Sequence, residues 1–129
     1  VTAPLRLAIG ADAASLASAQ RAVAELMCGA GMPPIAASRA ELVVEEVVLN
    51  ALRHGGAPEV RLEAAIDGTG CRLRFEDDGP AFDPTAACVP AREPGEGGFG
   101  IRLVRRSAVR LSYARLDGGV NRLEVLIPG

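Results

Sequence analysis

The stretch Ala40-Glu41-Leu42-Val43-Val44-Glu45-Glu46-Val47-Val48-Leu49-Asn50-Ala51-Leu52-Arg53-His54-Gly55 carries the clearest periodic signal in the chain. At 3.6 residues per turn, Ala40, Val44, Val47, Val48 and Ala51 fall on one apolar stripe, which predicts a helix laid on a sheet. Pro33-Pro34 breaks the chain before it, Ser38 stands three residues ahead of Glu41 as in a capping box, and Gly55-Gly56 supplies the stop. Glu41 and Glu45 point away from the stripe. Glu46 and Asn50 are four apart and therefore stacked, with Leu42, Val43 and Leu49 as their angular neighbours. A polar pair in apolar company is either the boundary of an amphipathic helix or one wall of a pocket.

Outward from this helix the pattern is of strands and one further helix. Leu5-Arg6-Leu7-Ala8-Ile9 alternates as a strand, and Asp12 is placed to N-cap an Ala-rich helix running to about Gly29-Ala30-Gly31. Residues 60–66 and 71–76 alternate on either side of Asp67-Gly68-Thr69-Gly70, the pattern of a hairpin. Residues 111–116 and 121–127 repeat that arrangement around Asp117-Gly118-Gly119. Between the two hairpins, residues 79–100 are dense in Gly and Pro, and a helical stretch follows from Phe99 to about Val109. The sum is an α+β fold: a two-layer α/β sandwich whose mixed, mostly antiparallel sheet is covered by helices on one face, in a single domain over residues 1–129.

Composition narrows the function. A chain of 129 residues, 49% hydrophobic but 3% aromatic and without Trp, builds an aliphatic core and lacks the stacking platforms of single-strand nucleic-acid binders. The net charge is -2, with 14 basic and 16 acidic residues and no long block of one sign, so neither direct nucleic-acid nor membrane binding is expected. Every basic residue is Arg, which excludes a P-loop because that motif requires its lysine. Cys28, Cys71 and Cys88 are far apart and without a His cluster, and are expected to be buried or incidental thiols. The first residues show no charged segment followed by an apolar run, and the expectation is a cytoplasmic protein.

Two further stretches carry chemistry. Arg74-Phe75-Glu76-Asp77-Asp78-Gly79-Pro80-Ala81-Phe82-Asp83-Pro84 is an alternating strand ending in two acids and a Gly-Pro turn, which is either turn chemistry alone or a site where Asp77 accepts a hydrogen bond from an amino group and Gly79 lets a ligand approach the backbone. Pro94-Gly95-Glu96-Gly97-Gly98-Phe99-Gly100-Ile101-Arg102-Leu103-Val104 is a glycine-rich stretch opening into a helix, either a flexible linker or a loop whose uncovered N–H groups suit phosphate oxygens.

In this order the three stretches resemble the N, G1 and G2 boxes of the GHKL (Bergerat) ATP-binding superfamily, over most of the chain from Glu41 onward. Within it they look like the RsbW/SpoIIAB-type anti-sigma-factor serine/threonine kinases. The resemblance implies that Asn50 coordinates Mg2+ at the ATP phosphates and that Glu46 is the general base. It implies that Asp77 recognises the adenine amino group, that Gly79 makes room for the base, and that Gly98, Phe99, Gly100 and Ile101 line the phosphates. His54 is expected as a pocket-wall residue rather than a phosphoacceptor, and residues 84–97 as the ATP lid. The pattern departs from the superfamily at Gly79-Pro80-Ala81, where Ala81 replaces the second glycine of Gly-x-Gly, and at Glu96, where some relatives carry Arg. The implied function is phosphorylation of Ser or Thr on a STAS-type anti-anti-sigma antagonist by a protein that also holds a sigma factor, with a homodimer in view. The alternatives are a non-catalytic ATP-sensing module and a detached histidine kinase catalytic domain.

Overall fold

The computed structural model describes residues 3–53, 56, 58–81 and 110–129. In them the chain forms β1 (Leu5–Gly10), α1 (Ala13–Gly29), α2 (Pro34–Arg53), β2 (Glu59–Asp67), β3 (Gly70–Asp77), β4 (Arg110–Leu116) and β5 (Val120–Pro128). The strands lie in the order β1-β2-β3-β5-β4, and every described pairing is antiparallel. The two helices pack on each other, α1 against β1 and α2 against β2 and β5, giving the expected α+β sandwich.

Helix α1 starts where Asp12 predicts. Asp12 is extended at φ -141° and ψ 150°, and its carboxylate accepts the Ser15 N–H at 2.7 Å. The Ser15 hydroxyl in turn accepts the Gly10 N–H at 2.9 Å, so the strand end and the helix start are tied through one turn. Asp12→Ala is expected to lower stability by about 1 kcal/mol in urea unfolding; an unchanged midpoint would show that the cap contributes nothing.

Helix α2 begins earlier than the capping box suggests. Its first residue is Pro34, and Ser38 lies exposed in the second turn. Proline is tolerated at the first helical position, where its missing N–H has no intrahelical partner to lose. The Pro33 carbonyl takes the Ala36 N–H at 2.9 Å, and Ala36 and Ala37 are buried, so the first turn is held by packing and by its own backbone. The proline pair starts the helix instead of ending what precedes it.

One face of the sheet supplies Val60, Leu62 and Ala64 from β2, Cys71, Leu73 and Phe75 from β3, and Leu123, Val125 and Ile127 from β5. Against them stand Val23 and Met27 of α1 and Ala40, Val44, Val47 and Val48 of α2, with Ala51 partly buried at the margin. Burial, with the Asp67 charge adding, pushes the Cys71 thiol up to about 11, so it serves as a small core hydrophobe. Cys28 is exposed, and Cys88 lies outside the described residues. The opposite face carries charges in rows: Arg6, Glu63, Arg74 and Glu124 face one another across four strands, and Arg61, Glu76 and Arg122 across three. Arg6 pairs with Glu63 at 3.0 Å and Arg122 with Glu76 at 2.6 Å.

Candidate functional site

Connectivity directs the end of α2 toward the end of the sheet where β3 finishes. Residues 54–58 lead from α2 into β2, whose start lies beside the end of β3, with Arg61 opposite Glu76. Asp77 at the end of β3 lies opposite Asn121 at the start of β5. The last turns of α2 therefore share one end of the sandwich with Asp77 and Asn121.

On α2, Asn50 is 8% exposed, and its amide nitrogen has no hydrogen-bond partner among the described residues. A buried donor left open costs about 1–3 kcal/mol. Glu46, one turn earlier, is half-buried, and their neighbour Val43 is fully buried. A carboxamide buried beside the core with hydrogen-bonding capacity unspent is what a pocket wall needs; a polar residue at a solvated boundary would be open to water.

The two acids at the end of β3 part to opposite faces. Asp77 follows Phe75, Leu73 and Cys71 on the helix side, whereas Asp78 is exposed and meets Arg61 at 3.1 Å, raising the guanidinium pKa chiefly through that hydrogen bond. The Asp77 Oδ1 accepts the Gly79 N–H at 2.9 Å and the Asn121 Nδ2–H at 3.1 Å. No described residue donates to its other oxygen, which is left as an acceptor. Gly79 is buried, with its N–H on Asp77 and its carbonyl on Arg115 Nη1 at 2.7 Å; Ala81 is exposed just beyond the turn.

Three residues of this cluster escaped the sequence reading. Asn121 is 6% exposed, and its Nδ2 also reaches the carbonyls of Gly79 at 3.2 Å and Pro80 at 2.9 Å. The Tyr113 hydroxyl donates to its Oδ1, and Arg115 holds the same turn from β4. The available signal was parity: Asn121 lies in phase with Leu123, Val125 and Ile127, a polar residue on the apolar side of its strand. Of the expected site residues, Glu46, Asn50, Asp77, Gly79 and Ala81 are placed as above. His54, Gly98, Phe99, Gly100 and Ile101, with the lid expected at 84–97 and the helix after it, lie outside the described residues.

Comparison with known proteins agrees with this geometry. Residues 9–126 match the family described as the histidine kinase-like ATPase domain. Over 84 residues the chain is 33% identical to the serine/threonine-protein kinase BtrW of Bordetella bronchiseptica, covering 61% of this chain and 59% of that protein. It thus spans about three fifths of the length of this curated relative. The histidine kinase domain of a blue-light activated histidine kinase from Erythrobacter litoralis shares the fold, with a TM-score of 0.56 at 24% identity over 89% of this chain and 63% of the other. The family match runs from the end of β1 into β5 and takes in every described part of the site, and on it this chain belongs to the histidine kinase-like ATPase domain family, an ATP-binding fold.

Proposed function

We propose that this domain is an anti-sigma regulatory factor of a cytoplasmic partner-switching pathway, which transfers the γ-phosphoryl group of ATP to a Ser or Thr of a STAS-type anti-anti-sigma protein. The observation that carries the proposal is Asn50, buried one helical turn beyond Glu46 with an open amide N–H donor that suits a phosphate oxygen. The likeness to a protein named as a serine/threonine kinase supports the choice of acceptor. No described helix is long and apolar enough to cross a membrane.

In this reading the Asn50 carboxamide oxygen is a hard, neutral donor of the kind Mg2+ takes beside water and phosphate oxygens. Bound there, the ion would supply charge neutralisation on the phosphates. Asp77 holds the adenine end through its outer carboxylate oxygen. Glu46 accepts the proton of the attacking hydroxyl as that oxygen bonds to the γ-phosphorus, and the β,γ-bridging oxygen leaves with the electron pair as ADP. Glu46→Gln keeps the shape and removes the base. Label transfer from ATP to the antagonist should then fall by about 10²–10⁴-fold while ATP affinity changes little. An active Glu46→Gln protein would overturn the base assignment. Wild-type protein that binds ATP yet labels no antagonist would leave a nucleotide-sensing module in place of a kinase.

A further inference from the structure

We infer that Asn121 and Tyr113 are positioning residues that hold Asp77 as a hydrogen-bond acceptor for an exocyclic amine, and so set the preference for a 6-aminopurine over a 6-oxopurine nucleotide. The inference rests on the reading of Asp77 as the adenine acceptor and adds the device that keeps it so.

The geometry gives Asn121 a single permitted orientation. Its Nδ2 faces three acceptors, namely Asp77 Oδ1 at 3.1 Å and the carbonyls of Gly79 at 3.2 Å and Pro80 at 2.9 Å. With the amide turned over, its oxygen would face three oxygens. Its actual Oδ1 takes the Tyr113 hydroxyl, and because a carbonyl oxygen can only accept, the tyrosine proton is committed to that bond. The chain of donation therefore runs from Tyr113 to Asn121 to Asp77, and the Gly79 N–H completes the occupation of the same Asp77 oxygen. The two donors that reach the carboxylate, the Gly79 N–H and the Asn121 amide, both fall on Oδ1. An amine meets the other side favourably, whereas a ring carbonyl would be set against an unpaired oxygen.

The turn is fastened by the same network. Arg115 Nη1 reaches the Gly79 carbonyl at 2.7 Å, so β4 and β5 together fix the backbone that carries Asp77 into the pocket. Tyr113 and Arg115 are both on β4, paired with Leu123 and Asn121, which places all of these groups on the helix-covered side of the sheet. Tyr113 also packs against the core, and Phe keeps that contact, so Tyr113→Phe removes the hydroxyl alone.

The experiment is calorimetric titration of the full chain, with Mg2+ present, by ATP and by inosine triphosphate, which carries a carbonyl where ATP carries the amine. Wild-type protein should prefer ATP on the order of 30-fold. Tyr113→Phe and Asn121→Ala should weaken ATP about tenfold and change the inosine nucleotide less than about twofold, so the preference collapses. Equal weakening of both nucleotides would mean that the two residues only hold the fold, and the inference fails. Should Asn121→Ala not fold, Tyr113→Phe decides by the same ratio. The reading beneath is tested separately by Asp77→Asn: unchanged ATP binding there removes Asp77 as the acceptor, whatever the latch variants do.

Discussion

Asp77→Asn should abolish useful ATP binding while leaving the domain folded. The substitution keeps volume and keeps an oxygen for the Gly79 N–H and the Asn121 amide, so the turn retains both of its internal hydrogen bonds. What changes is the outer atom, where an NH2 replaces the carboxylate oxygen that the proposed function sets against the adenine amine, so that donor would meet donor. Loss of a hydrogen bond to a charged group, with repulsion in its place, predicts a fall in affinity of about 100-fold or more. Urea unfolding should stay within about 1 kcal/mol of wild type, because no buried partner is stripped. A titration showing wild-type affinity in a protein of wild-type stability would move the base to some other part of the pocket.

Gly70→Ala should be the most damaging small substitution in the described structure. Gly70 opens β3 at φ 135°, and a methyl built there would lie 2.1 Å from the Ile127 carbonyl oxygen and 3.0 Å from both the Pro128 Cα and the Gly129 nitrogen. All three are backbone atoms of the paired strand β5 and its end, so no side chain can rotate away. Relief requires β3 and β5 to part at the Gly70 to Pro128 pair, next to Cys71 and Ile127, both fully buried. Backbone strain of about 1–3 kcal/mol and the separation of two core strands should together cost about 3–5 kcal/mol. That is a large part of the roughly 5–15 kcal/mol a domain possesses. Gly68→Ala, two residues earlier in the same turn and with nothing within 4 Å of the added methyl, serves as the control. It should fall within about 0.5 kcal/mol of wild type. Similar unfolding midpoints for the two variants would refute the steric account.

What could be read in advance was local. The hairpin of β2 and β3 was legible because alternation and a Gly-containing turn lie within one short segment, and the start of α1 because Asp12 caps the helix that immediately follows. Asp77 was legible as an acid at the end of an alternating strand, and the structure puts it in phase with Phe75 on the helix side. Asn50 stood out because its helical neighbours are apolar, and burial agrees. The start of α2 was misplaced because Pro33-Pro34 is compatible with both a break and a first turn, and the buried Ala36 and Ala37 decide for the turn. Asn121 was illegible for a different reason. Its bond to Asp77 joins residues 44 apart, and only the pairing of β5 with β3 brings them together.

The charged rows on the uncovered side of the sheet bear on how the strands find one another. A shift of two residues keeps every apolar side chain facing the helices, so the core alone discriminates poorly against it. The rows do discriminate. Sliding β3 along β2 by two places sets Arg61 against Arg74 in one direction and Glu63 against Glu76 in the other. Between β3 and β5 the same displacement sets Arg74 against Arg122 or Glu76 against Glu124. Each misalignment adds a like-charge pair that the native register lacks, about 0.2–1 kcal/mol per pair. The outer face thus works as a proofreading code, penalising the misfolded sheets that would bury the same hydrophobic surface while separating Asp77 from Asn121.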